Sequence, residues 1–178
     1  DFGATWTKLS NGIPSGDVVR TIHEYPGQSA VAFVGTERAI YFTTNSGQNW
    51  TRLKSNLPTV PTYDILVHPR TKDLILGTHG RSIWILDDAS PIASWSSSIA
   101  AKPAHLFTPR PVTQHLFWED FSNWGQGEYA GENPKDGALI SYSLARAVPN
   151  VTLTITNPTG RVVRTLSGPG DAGAIHRV

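Results

Sequence analysis

Asn45-Ser-Gly47-Gln-Asn-Trp50-Thr-Arg-Leu53, ending at Leu57-Pro58, repeats the opening of the chain, Asp1-Phe-Gly3-Ala-Thr-Trp6-Thr-Lys-Leu9, ending at Ile13-Pro14. Asp1/Asn45, Gly3/Gly47, Trp6/Trp50, Leu9/Leu53 and Pro14/Pro58 are each separated by 44 residues without a gap. A match over that many positions is hard to obtain by chance, and internal periods of roughly 20–50 residues mark repeat architectures. Working outward from the two anchors, Val18–Ile22, Ala30–Val34, Ala39–Thr43 and Asn49–Leu53 are short β-prone runs separated by Gly, Pro or polar turns. Four strands in about 44 residues is the size of one propeller blade. The next unit repeats the order with Tyr63–Val67, Asp73–Leu76 and Ser82–Leu86. Its fourth strand does not follow, because the chain reads Asp87-Asp88-Ala-Ser-Pro91 where the next turn should come. The array is expected to end there.

The turn has a physical reading. In Thr43-Thr-Asn45-Ser-Gly47-Gln-Asn-Trp50 the Asn side chain can accept from nearby backbone N–H groups, Gly supplies positive φ, and Trp covers the hairpin with apolar area. Asp1, Gly3, Trp6, Thr43, Asn45, Gly47 and Trp50 are therefore expected to be structural residues.

These residues resemble the Asp-box (BNR) repeat, Ser/Thr-x-Asp-x-Gly-x-Thr-Trp, of sialidases, xyloglucanases and sortilin-type propellers. The first copy begins at Asp1 without the Ser/Thr, and the second carries Asn45 for Asp and Asn49 for Thr. A wider stretch is similar to the end of the propeller in large bacterial proteins of the sortilin-like or BNR-repeat glycosyl hydrolase type. It comprises Leu76-Gly-Thr-His79-Gly-Arg81-Ser-Ile-Trp84-Ile-Leu-Asp87-Asp88, then Leu106-Phe-Thr-Pro-Arg110-Pro and Gly131-Glu-Asn-Pro134. The resemblance implies the last blades of an Asp-box β-propeller followed by an Ig-like β-sandwich, in a secreted or periplasmic bacterial protein.

Composition agrees with an all-β chain. With 16 Gly and 13 Pro in 178 residues there is little room for long helices, and no collagen period. Fifteen basic residues against 14 acidic give a net charge of +1, so there is no basic footprint for nucleic acid. The absence of Cys excludes a disulfide framework, a thiolate metal site and a Cys nucleophile. No apolar run approaches the ~20 residues of a membrane span. Because the chain lacks Met, its start is expected not to be the native one.

Three regions are expected: residues 1–92 as the last blades, 93–136 as a linker lying on that domain, and 137–178 as part of a sandwich. The linker reading rests on Pro, Gly and scattered aromatics with little alternation. In the last region Ala138–Leu144, Val151–Thr156 and Arg161–Leu166 alternate as strands, Asn157-Pro-Thr-Gly160 is a hairpin turn, and a further strand starts at Ala174–Val178. These are fewer strands than a complete sandwich, so the C-terminus is also expected to be cut.

Candidate chemistry lies in the turns. His79 and Arg81 occupy the turn between the second and third strands of the final blade, and Glu37 and Arg38 the equivalent turn one blade earlier. By the resemblance such loops open toward a binding face, where these four residues would contact an anion or a sugar. Against that stands a capping role for His79 and Arg81, paired with Asp87 or Asp88. Glycoside hydrolysis wants two carboxylates roughly 5 to 9.5 Å apart. Glu37 and Asp64 are the candidates, but a solvated edge explains them as well, and no full catalytic set assembles. Asp87-Asp88 on a strand end point opposite ways, which favours a cap or ion pair over a metal site. The run Phe117-Trp-Glu-Asp-Phe-Ser-Asn-Trp124 can stack on sugars or dock a linker. No cofactor is expected. Three functions stay open: a binding module for a carbohydrate or protein ligand, working with the remaining blades of its parent protein; part of a glycoside hydrolase with its carboxylates elsewhere; or a structural adhesion module.

Overall fold

The computed structural model describes residues 2–54, 56–113 and 137–178, and Asp1, part of the first turn copy, lies outside them. The chain divides into two compact units, Asp1–Ser96 and Ser97–Val178. Both are built from small antiparallel sheets, none of them closed.

In the N-terminal unit β1 (Val19–Tyr25), β2 (Gln28–Thr36), β3 (Ile40–Thr43) and β4 (Thr51–Arg52) form a four-stranded meander in that order. A second meander follows, with β5 (Thr62–Val67), β6 (Leu74–Thr78) and β7 (Ile83–Leu86). Val, Ile, Phe and Thr fill these strands, and Gly27 at φ +86° turns the first hairpin, which is how short β-prone runs become a meander.

The two sheets are copies of one another in register. Val34 lies opposite Ile22 and Tyr41 in the first sheet, and Leu76 opposite Ile65 and Trp84 in the second. Each first hairpin carries one extra residue at the same place: Arg20 between Val19 and Thr21, and Tyr63 between Thr62 and Asp64. Glu37 N donates to Val18 O at 3.0 Å, and His79 N to Pro61 O at 2.9 Å. The repeat read from the two Trp anchors therefore extends to strand pairing, to a β-bulge and to its closing hydrogen bond. The second sheet ends at β7 among the described residues, as the sequence predicts.

The turn before β4 is built as its residues suggest. Thr43 Oγ1 accepts from Gly47 N at 3.0 Å and donates to Asn45 Oδ1 at 2.8 Å, while Asn45 Oδ1 accepts from Asn49 N at 3.0 Å. Ser46 at φ 56° and Gly47 at φ 80° make the reversal, and Phe2 at φ 52° and Gly3 at φ 85° repeat it. The copies diverge at the tryptophan. Trp50 is only 8% exposed, packed with Ala32, Val34, Ala39 and Tyr41 and backed by Ile13. Its indole Nε1 donates to Leu9 O at 2.9 Å. Trp6 is 90% exposed, its indole bonded only locally to Gly3 O. Emptying a buried aromatic site ordinarily costs about 3–5 kcal/mol, so Trp50 anchors the first sheet and Trp6 does not.

The opposite face of the first sheet carries Phe33 and Gly35, and there β5 packs across β1 and β2 with Ile65, Val67, Leu74 and Leu76 buried beneath it. The chain then turns through Asp88 into α1 (Ser90–Ala93), where Pro91 occupies a first-turn position that lacks an N–H partner in any case.

In the C-terminal unit α2 (Ser97–Ala100) leads to β8 (Ala104–Leu106), which pairs with β9 (Ser141–Leu144). The hairpin of β10 (Val151–Thr156) and β11 (Val162–Gly168) stands apart, and β12 (Ile175–Arg177) returns to β9, giving the sheet order β12-β9-β8. Four of these strands, β9 to β12, and the 157–160 turn agree with the sequence reading. Residues 97–106 differ from it: they carry a helical turn and a paired strand of this unit where a linker is expected. Phe117–Trp124 and Gly131–Pro134 lie outside the described residues.

Candidate functional site

The register that pairs the sheets also gathers side chains at one end of the N-terminal unit. A bulge residue stands off the regular alternation of its strand, so Arg20 and Tyr63 project beside the β2–β3 and β6–β7 turns. Arg20 forms an ion pair with Glu37, and its Cζ lies 5.4 Å from the centroid of the Tyr63 ring. The Tyr63 ring meets that of His79 at 5.3 Å and 60°, edge to face. Glu37, Arg20, Tyr63 and His79 thus form a continuous row across both sheets. Tyr63 is 47% exposed, so the residue stays partly open to solvent between these neighbours.

Contacts of this kind contribute little to holding the fold. An exposed ion pair is worth about 0–1 kcal/mol, and an exposed cation–π contact about 0.5–1 kcal/mol. Arg38 and Arg81 stand exposed at the two turn tips and form no ion pair among the described residues. Of the four residues singled out by sequence, the structure joins Glu37 and His79 through Arg20 and Tyr63, and places Arg38 and Arg81 at the tips beside them. Arg81 contributes its carbonyl, which accepts from Trp84 Nε1 at 2.8 Å.

Beneath the row lies a polar hub. Thr36 Oγ1 donates to Asp17 Oδ2 at 3.0 Å or to Ala39 O at 2.9 Å, and accepts from Arg38 N and Ala39 N. Tyr41 Oη reaches Asp17 Oδ2 at 3.4 Å, and burial, then the Asp17 charge, hold its hydroxyl above the ordinary tyrosine range. The hub fixes the backbone of the Glu37–Arg38 turn.

The carboxylates proposed for hydrolysis are otherwise engaged. Glu37 pairs with Arg20, and Asp64 Oδ1 accepts from its neighbour Ile65 N at 2.9 Å. Asp88 Oδ1 accepts from Ser90 N and Ser90 Oγ, and Asp88 N donates to Asp73 Oδ1. That is a local turn ahead of α1, whose N-cap residue Ala89 has no side-chain cap. Among the described residues no three His, Asp or Glu side chains converge as a metal site, and no helix is long and apolar enough to cross a membrane.

The C-terminal unit holds a cleft of about 380 Å³ between its sheet and the β10–β11 hairpin, lined chiefly by Leu106, Ile140, Tyr142, Leu144, Leu153 and Ile155. The Tyr142 hydroxyl is committed to Pro169 O at 2.6 Å, and the mostly apolar lining is completed by His105, Thr152 and Thr154.

Sequence reasoning missed Arg20, Tyr63 and Asp17. Arg20 and Tyr63 lie 43 positions apart, and only the bulge in each sheet brings them together; the sole available signal was that they occupy matching places in the repeat. Comparison with known proteins adds no constraint: no protein-family model, curated protein or solved structure matches the chain.

Proposed function

We propose that residues 2–92 form two blades of an Asp-box β-propeller in an extracytoplasmic binding protein, with an Ig-like module after them, and that the row at the turn end contacts a carbohydrate or protein ligand. The observation that carries this reading is the exposed Tyr63 ring, flanked by Arg20 and His79 and set between two turns bearing the exposed arginines Arg38 and Arg81. An open aromatic face accepts the apolar side of a sugar ring, and guanidinium and imidazole groups beside it donate to hydroxyls or carboxylates. The same constellation suits an acidic loop of a protein ligand.

A glycan array followed by calorimetric titration of the hit tests the proposal. Tyr63→Ala and Arg81→Ala are expected to weaken binding at least tenfold, equal to about 1.4 kcal/mol, while leaving the melting temperature nearly unchanged. Binding that survives both changes, or changes that only unfold the chain, would overturn it. Turnover of a glycan by the chain would favour a hydrolase instead.

A further inference from the structure

The tryptophan slot of the first sheet has a shallower counterpart in the second, into which no fourth strand brings a tryptophan among the described residues. Trp50 packs with Ala32, Val34, Ala39, Tyr41 and Ile13, and its indole donates to Leu9 O. Strand register and the sequence repeat match Leu9, Ile13, Ala32, Val34 and Tyr41, in order, to Leu53, Leu57, Leu74, Leu76 and Trp84. These five line a small groove of about 40 Å³ beside β7 together with Leu86, while the place of Ala39 is taken by Ser82, outside it. In the first sheet the corresponding place is filled by the indole of Trp50, and β4 pairs with the outer edge of β3 through Thr51 opposite Phe42 and Arg52 opposite Tyr41. In the second sheet nothing pairs with the outer edge of β7 among the described residues, and Ile83 and Ile85 are 69% and 60% exposed.

The chain also carries a spare occupant. Gly3–Leu9 is the repeat of Gly47–Leu53, with the same left-handed turn, and its tryptophan is exposed. Its own Leu9 and Asn11 are held at Trp50: Leu9 O accepts from the indole and Asn11 O accepts from Trp50 N at 2.8 Å. That contact ties the segment to the first sheet.

We infer that the β7 edge and its groove bind the Trp6 strand of a second copy of this chain. By analogy with β4, Thr7 lies opposite Ile85 and Lys8 opposite Trp84, with the Trp6 indole against the half-buried Trp84 and Leu86 at the groove's rim and its N–H directed at Leu53 O. The slot is shallower than that of Trp50 because Leu74 stands where Ala32 does, so the indole seats nearer the edge. Each copy offers one strand and one groove, on different surfaces, so the contact is heterologous and propagates head to tail. It adds one strand and one aromatic anchor, well below a standard interface of about 1,600 Å², and is therefore weak and concentration-dependent.

Sedimentation of the 178-residue chain from micromolar to several hundred micromolar tests the inference. The mean mass is expected to rise with concentration, and Trp6→Ala, altering an exposed residue, should keep it at the monomer value. The Trp6→Ala chain keeps its groove, so a labelled peptide of residues 2–10 is expected to bind it, and the same peptide with Trp6→Ala is not. Leu86→Asp in the groove should weaken peptide binding at least tenfold. Should Leu86→Asp fail to fold by circular dichroism, Ile85→Lys on the exposed edge carries the same readout. An unchanged mass profile for Trp6→Ala, or no peptide binding, would overturn the inference. So would a native chain that stays monomeric throughout.

Discussion

Thr36 and Thr62 are both fully buried, yet only one of them has its hydroxyl satisfied. Thr36 Oγ1 serves two backbone N–H groups and the Asp17 carboxylate, whereas Thr62 Oγ1 is among the buried oxygens without a partner. Valine has nearly the shape of threonine, so replacing each isolates the hydroxyl. Thr36→Val leaves Ala39 N and Asp17 Oδ2 short of a partner in a dry place, and is expected to cost about 1–3 kcal/mol. Thr62→Val removes an oxygen that gains nothing from burial, and is expected to be neutral or stabilising by up to about 1 kcal/mol. Urea denaturation at neutral pH measures both. Equal losses at the two positions would show that the Thr36 hub contributes no more than its packing.

At the scale of the element, a matched pair of glycines asks how tightly the sheets approach. Gly35 in β2 and Gly77 in β6 hold the same place in the repeat, each opposite the residue after a bulge. A Cβ on Gly35 would stand 2.8 Å from Thr62 O and 2.8 Å from Thr21 Cγ2, because β5 crosses there. On Gly77 it would meet Asp64 Cβ at 3.4 Å, an ordinary contact. Gly35→Ala must therefore push a backbone carbonyl away and is expected to cost about 1–3 kcal/mol, the usual range for overpacking. Gly77→Ala is expected to stay within about 0.5 kcal/mol. Equal effects in thermal melts would mean that the second sheet does not rest on the first at β2. The same elements show what a sequence can carry. Strands such as β2 and β10 were legible because β-branched residues bounded by turns need no partner to be recognised, and the turn before β4 because its Asn, Gly and Trp each have a local job. β8 was not, since three residues after Pro103 become a strand only by pairing with β9, far along the chain. The row from Glu37 to His79 was half legible: turn tips announce themselves, but Arg20 and Tyr63 are turned toward them by bulges that no local spacing reveals.

Across the whole molecule, each unit buries one tyrosine near a carboxylate. Burial, followed by the charge of Asp17, raises the Tyr41 hydroxyl above its ordinary value of 10.0, although Arg52 and Arg38 pull it back. Burial, followed by Asp171, does the same for Tyr142. A phenol is neutral when protonated, so both folded units hold their protons at a pH where the unfolded chain has begun to release them. The unfolded state then binds fewer protons than the native one, and stability falls as pH rises. The contribution is fully present below pH 10 and is lost as pH climbs from there through the folded-state values. Phenylalanine cannot ionise, so Tyr41→Phe and Tyr142→Phe should each flatten this alkaline loss. Their neutral-pH behaviour should differ: Tyr142→Phe forfeits a 2.6 Å bond to Pro169 O and is expected to cost about 1 kcal/mol, whereas Tyr41→Phe gives up only a 3.4 Å contact and is expected to cost less. Urea midpoints measured between pH 7 and pH 11 decide the matter. A native chain and a Tyr41→Phe, Tyr142→Phe double variant that lose stability in parallel above pH 10 would show that neither hydroxyl is held back from ionising.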